Sequence, residues 1–290
     1  MGQIVFAAGI PHAPGLAGLY ASAPQQSRDA VDAIYGSVSR AVREAKPDVM
    51  IVFANDHLAN SRVSNYPDFL VGVAPEHTGP YEWFREWIKC RDYRVPGHPE
   101  VARAMINGLA RRGIRTAWTT DNLKFDDNIS IPSVLLDLDR GDIPLVPVLQ
   151  NCVVPPIPDQ RHCHRVGEAL GDFIRKDLPA DMRVALLGSG GLSHEPGGAR
   201  YYYIDEDFDR RFLDLCVRGD HEGLLEEMTL ERMDRSGAGG TSELYAWFVV
   251  LGAIGARKGR SLGYTAHSEF KCGIGGVIWD LGPQAQEVAA

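Results

Sequence analysis

The chain has 290 residues, 44% of them hydrophobic and 23% charged, which suits one large globular domain with an adequate apolar core. A formal net charge of −8 attracts no phosphate backbone in bulk and argues against nucleic acid as a partner. The five cysteines, Cys90, Cys152, Cys163, Cys216 and Cys272, are odd in number and form no CxxC pair, so they read as reduced cytoplasmic thiols rather than a disulfide framework or a zinc cluster.

The first fourteen residues are apolar but carry no leading positive charge and are broken by Pro11, so no signal peptide is expected. No run reaches the roughly eighteen apolar residues that a membrane helix needs. Ile4 to Ala8 reads as a strand that ends in Gly9-Ile10-Pro11-His12. Residues 25 to 45 carry apolar side chains every four positions (Ala30, Ile34, Val38, Val42) and read as a helix. Lys46-Pro47-Asp48 stops it, and Val49 to Phe53 is an apolar run of the kind found in buried parallel strands. Asn55-Asp56-His57 follows directly.

Further strands are expected at Phe69 to Val73, 114 to 119, Ile143 to Leu149 and Val184 to Leu187, and helices at Glu100 to Arg111, 161 to 175, 206 to 217 and 241 to 256. Another helix is expected to start near Pro132, with Asp126, Asp127 and Asn128 as its turn or N-cap. Leu262 to Trp279 reads as strand or ordered loop. The alternation implies an α/β fold with a central, mostly parallel or mixed sheet flanked by helices. No repeat or linker divides the chain, so residues 1–290 are expected to form a single domain. It would carry an aromatic-rich excursion at 60–97 and a C-terminal closing segment at 262–280.

His12, His57 and His194 each follow a strand-like run, at the sheet edge where open α/β folds bind ligands. Two imidazoles and one carboxylate leave positions open on iron(II) for a bidentate substrate and oxygen. Spacing does not select the carboxylate: Glu243 opens an apolar helix, where an acid also favours the helix dipole. The glycine-rich run Gly188 to Gly191 lacks the lysine of a phosphate loop and suits close backbone approach instead. His194, at its end, is placed for acid–base work. Asn55 and Asp56 are candidates to orient His57. Asn128, Ser193, His267 and Glu269 are further candidates for substrate or ligand contacts. His77, His98, His162, His164 and His221 read as solvated.

Gly9-Ile10-Pro11-His12, the Lys46-Pro47-Asp48 stretch leading to Asn55-Asp56-His57, Gly188 to His194, and a stretch from Ala199-Arg200 through Phe208 to Leu215 and on to Glu243-Leu244 stand in the order and spacing of a known superfamily. The chain resembles the class III extradiol ring-cleavage dioxygenases, the superfamily of the protocatechuate 4,5-dioxygenase beta subunit. The resemblance implies Fe(II) held by His12, His57 and Glu243, with His194 as the acid–base residue. It also implies a small aromatic substrate and O2 as reactants, a homo-oligomer, and a small alpha-type subunit in some members. One departure stands out: Asp126-Asp127-Asn128 replaces the usual Asp-His-Gly, so Asp127 occupies the place of a second active-site histidine. The change points to an aminophenol, a hydroxypyridine or an unusual catechol. The alternatives are a related metal-dependent enzyme with non-cleaving or hydrolytic chemistry, or a non-catalytic binding homologue.

Overall fold

The computed structural model describes residues 1–281. Its main sheet takes strands β1 (Gln3–Ile10), β2 (Val49–Asp56), β3 (Phe69–Gly72), β6 (Ala117–Thr119), β7 (Leu145–Asn151), β8 (Arg183–Ser189), β9 (Gly259–His267) and β10 (Cys272–Trp279), while β4 (Glu76–Gly79) and β5 (Tyr93–Pro96) pair separately. The spatial order is β6-β3-β7-β2-β8-β1-β10-β9. The four central strands run parallel, and β3 and β10 join them antiparallel on either side. The fold is thus α/β with a mixed central sheet, as expected.

The helices are α1 (Gly15–Gly18), α2 (Gln25–Ala45), α3 (Glu82–Ile88), α4 (Pro99–Arg111), α5 (Asp127–Leu135), α6 (Gln160–Asp177), α7 (Glu206–Arg218), α8 (His221–Glu227), α9 (Leu230–Gly237) and α10 (Tyr245–Ile254). In α2 the side chains of Val31, Ile34, Tyr35, Val38 and Val42 are buried, the apolar stripe its spacing implies. Every residue of β2 is buried, because helices cover both faces of a central parallel strand.

All ten residues of α10 are buried, so this helix has no solvent face and belongs inside the core. It can lie close against the sheet because Gly9 and Gly188 lack side chains there. A Cβ on Gly9 would fall 2.2 Å from the Trp247 ring, and one on Gly188 would fall 2.9 Å from the Trp247 Cα. That close packing holds the turn before α10, a 3₁₀ segment spanning Thr241–Leu244, near the C-terminal ends of β1, β8 and β2.

Two local expectations are corrected. Helix α5 begins at Asp127, with Asp126 as N-cap, and Pro132 lies inside it. Residues 60–97 do not form one excursion, since β3 belongs to the main sheet and only β4, α3 and β5 stand apart from it. Leu262 to Trp279 is mostly the antiparallel pair β9–β10.

Candidate metal centre and cavity

His12, Ser189 and His57 sit at or just beyond the ends of β1, β8 and β2, three neighbouring parallel strands. The topology therefore brings His12, His57 and the loop carrying His194 to one edge. Glu243 enters from the 3₁₀ turn, held there by Asn55, whose Nδ2 donates to the Glu243 carbonyl at 3.2 Å. Asn128 Nδ2 in turn donates to the Asn55 carbonyl at 2.7 Å.

Each of the three imidazoles has its Nδ1 committed. His12 Nδ1 lies 3.0 Å from Ser189 Oγ, whose own proton goes to the Asn128 carbonyl at 3.2 Å. The Ser189 oxygen is therefore the acceptor, and Nδ1 carries the proton. His57 Nδ1 donates to Asp126 Oδ2 at 2.9 Å, and His194 Nδ1 donates to the Leu192 carbonyl at 2.7 Å. With these tautomers assigned from their partners, all three Nε2 atoms face one carboxylate. His12 Nε2 lies 3.3 Å from Glu243 Oε2, and the Nε2 atoms of His57 and His194 each lie 3.2 Å from Oε1. Oε2 also accepts the Gly191 N–H at 2.9 Å.

His12 Nε2 is buried and makes no hydrogen bond. A buried lone pair facing a carboxylate is unfavourable unless a cation lies between them. Burial alone would lower the His57 and His194 imidazoles. The Asp126 charge at His57 and the Glu243 charge at His194 outweigh it and hold both rings well above the ordinary range. Burial would raise Glu243, but the surrounding histidines hold it well below the usual carboxylate range. Basic nitrogens crowding one ionised carboxylate form a donor set for a divalent metal, and the residues fit iron(II).

The potential donor atoms of His12, His57 and Asp127 lie within 4.8 Å of one another, as do those of His57, Cys152 and Glu243. Two observations favour Glu243 over the other acid and the thiol. Asp127 Oδ1 approaches His57 at Nδ1, 3.4 Å away, on the ring edge already used by Asp126. The Cys152 thiol is buried, which pushes it far above its ordinary range, and a thiolate is a softer donor than the two-histidine, one-carboxylate set that suits a non-haem iron(II) oxygenase.

The glycine run clears room for the cluster. A Cβ on Gly191 would meet His194 Cε1 at 2.5 Å and Glu243 Oε2 at 3.1 Å. Ser193 anchors the same loop through Asp209, whose carboxylate accepts the Ser193 N–H at 2.7 Å and its hydroxyl at 3.1 Å.

The cluster opens into a cavity of 580 Å³, a common size for a small-molecule site. Leu58, Trp87, Val153 and Phe270 line it, and so does Asp127, while Lys89, Tyr201 and Lys271 add polar groups. Asp127 is buried and its Oδ1 has no hydrogen-bond partner. Burial, and then the Asp126 charge, raise its carboxyl.

Other sequence candidates lie elsewhere. Asp56 turns away from the cavity, accepting from Asn60 Nδ2 and the Tyr66 hydroxyl, both at 2.8 Å. His267 pairs with Glu269, and neither lines the cavity. His77 is fully buried rather than solvated, against Phe125, and burial lowers its imidazole to about 4. His164 and His221 face each other at 3.0 Å. Nothing in the sequence singles out Ser189, Tyr201 or Lys271, and Asp126 reads there as a turn or cap.

A family model described as the catalytic LigB subunit of aromatic ring-opening dioxygenase matches residues 6–274. A 2,3-dihydroxyphenylpropionate/2,3-dihydroxicinnamic acid 1,2-dioxygenase of Xanthobacter autotrophicus is 24% identical, over 90% of this chain and 92% of its own length. The same-named protein of Photorhabdus laumondii is 29% identical over 61% of this chain, an alignment spanning only 52% of that relative. A gallate dioxygenase of Pseudomonas putida is 29% identical over 56% of this chain and 47% of its own length. The crystal structure of an uncharacterized protein from Escherichia coli K12 shares the fold, with a TM-score of 0.56 over 94% of this chain and 99% of that one at 14% identity. The match from residue 6 to residue 274 covers most of the sequence, and the chain belongs to the LigB family of catalytic ring-opening subunits, within the class III extradiol dioxygenase superfamily.

Proposed function

We propose that this chain is an iron(II)-dependent extradiol dioxygenase for catechol-like rings, with His12, His57 and Glu243 as the metal ligands. The supporting observation is His12 Nε2, buried without a hydrogen bond and facing Glu243 Oε2 at 3.3 Å. When bound, iron(II) supplies Lewis acidity toward two adjacent ring substituents and electrons toward oxygen.

The protein's own part is to orient, to exclude water and to move protons. Ser189 and Asp126 fix the tautomers of His12 and His57, so the rings are set before substrate arrives. His194 has its Nδ1 proton committed to Leu192, so any proton it exchanges with the ring substituents or the product passes through Nε2. Leu58, Trp87 and Phe270 wall the cavity and give a ring an apolar surface.

Asp127 is the second proposed proton-handling group. An acid there accepts a hydrogen bond from an amino, hydroxyl or ring N–H substituent, which suits aminophenols and hydroxypyridines as well as catechols. The relatives named for dihydroxyphenylpropionate, dihydroxicinnamic acid and gallate support a ring with adjacent hydroxyls. The rest of the reading is one catalytic domain over residues 1–290, a cytoplasmic homo-oligomer, and a small alpha-type subunit as a candidate partner. Among the described residues no helix is long and apolar enough to cross a membrane.

The test is oxygen uptake by the anaerobically iron-loaded protein, over a panel of catechols, aminophenols and dihydroxypyridines. One O2 consumed per ring opened, with a yellow product, is expected. Tight iron binding without oxygen uptake on any member would favour the alternative metal-dependent chemistry.

A further inference from the structure

Three carboxylates line the cavity, Glu243, Asp127 and Glu195. Glu195 is neutralised by Arg200, with contacts of 2.6 and 2.9 Å. The lysines in the same wall are Lys89 and Lys271, and among the described residues neither has a carboxylate partner. Two ammonium groups without a carboxylate partner thus line the cavity of a chain whose net charge is −8, and each favours an anion beside it.

Lys271 is held in place rather than splayed into solvent. Its Nζ donates to the Tyr201 hydroxyl at 2.8 Å and sits 4.5 Å from the centre of that ring, a cation–π distance. The backbone of Lys271 is left-handed, with φ of 57°, in the turn between β9 and β10. Glycine or asparagine adopts that conformation at lower cost, yet the residue present is a lysine. Its ammonium has two further protons to give. Tyr201 accepts from Lys271 and keeps its own O–H free for donation. Two donors 2.8 Å apart in one wall match the two oxygens of a carboxylate.

We propose that Lys271 and Tyr201 form a carboxylate-reading subsite, so that the preferred ring substrate carries an anionic side chain, with the exposed Lys89 adding attraction at the rim. The identity of the ring rests on the ring-cleavage reading above, whereas the anion site rests on these side chains alone.

The experiment has two arms. In the first, 3-phenylpropionate and 3-phenylpropionamide are titrated into the metal-free protein, followed by quenching of tryptophan emission, since Trp87 lines the cavity. The acid is expected to bind about tenfold more tightly than the amide, the scale of one charge-assisted hydrogen bond. The preference is expected to fall with added salt and to vanish in Lys271→Met, and to drop partially in Tyr201→Phe. Equal binding of acid and amide, or equal losses for both in Lys271→Met, overturns the subsite.

In the second arm the iron-loaded protein is given 3-(2,3-dihydroxyphenyl)propionate and its methyl ester. Lys271→Met is expected to lower the acid-to-ester ratio of kcat/KM about tenfold, mostly through KM for the acid. Ring cleavage without acid preference overturns the anion site and leaves the dioxygenase reading standing. Acid-selective binding without ring cleavage of either compound does the reverse.

Discussion

Asp126 serves His57 and helix α5 with one carboxylate: Oδ2 accepts the His57 Nδ1 proton at 2.9 Å, and Oδ1 accepts the Asn128 N–H at 2.9 Å. The N-cap that starts the helix is thus also the group that aims an imidazole at Glu243. Folding of α5 and orientation of His57 share a residue, and the two roles are separable by substitution.

Asp126→Ala is expected to weaken iron(II) binding by about 10–100-fold, the usual scale for losing the partner of a metal-binding histidine. It is also expected to cost about 1 kcal/mol of stability through the lost cap. Anaerobic metal titration reads the first and urea denaturation the second. Asp126→Ser keeps a capping oxygen but is too short to reach His57, so it should recover stability without recovering affinity. Equal recovery of both would show that Asp126 acts on the site only through the helix.

Asp127 tests the departure from the family pattern. Asp127→Asn keeps size and removes the ability to give and take a proton, so kcat is expected to fall by about 10²–10⁴, the range for general acid–base groups. Asp127→His is expected to retain ring cleavage and to shift preference toward catechols over aminophenols. Steady-state oxygen uptake on both substrate classes checks this. An unchanged kcat in Asp127→Asn would remove Asp127 from proton handling.

Gly191→Ala brings a methyl group 2.5 Å from His194 Cε1 and 3.1 Å from Glu243 Oε2. Neither neighbour can retreat without giving up its own partners, so activity is expected to fall at least about a hundredfold, as for a misplaced catalytic group. The fold should persist by circular dichroism, because the clash is with the site and not with the core. Wild-type activity in this variant would mean that the His194–Glu243 geometry is not needed.

Asp209, under the loop of His194, gives a pH signature. Burial, helped by the nearby Asp205 charge, pushes its carboxyl up to about 7 against hydrogen bonds from Ser193 and Tyr264 that pull it down. Because the folded pKa lies above the unfolded one, the native state keeps a proton that the unfolded chain releases above the ordinary value of 3.8. Stability from this group is therefore full below about pH 4 and declines up to about pH 7, by at most about 1.4 kcal/mol per unit. Urea midpoints from pH 5 to 7 should fall less steeply in Asp209→Asn than in the unsubstituted protein. Parallel pH profiles would contradict the assignment.

The three histidines were legible because each follows an apolar run, and parallel strands order such runs side by side with their C-terminal ends on one edge. His12 and His57 follow β1 and β2, which flank β8, whose loop carries His194. Glu243 was not legible from spacing, since its 3₁₀ turn also suits a helix-capping acid; only the resemblance selected it. Asp126 was read as a turn or cap, which it is, while its second role depends on a residue 69 positions away. Tyr201 and Lys271 meet across 70 positions and belong to no motif. His77 looked solvated because its neighbours Glu76 and Thr78 are polar. Alternation along β4 turns His77 inward while Glu76 and Thr78 face out.

The central claim is that His12, His57 and Glu243 together hold the metal. Its most direct test is equilibrium binding of iron(II) under anaerobic conditions to the unsubstituted protein and to Glu243→Gln, with circular dichroism as the check on folding. One iron per chain in the former, and affinity lower by at least about a hundredfold in the latter, is the expected result, as for a lost ligand or its supporting shell. Undiminished iron binding by a folded Glu243→Gln would contradict it.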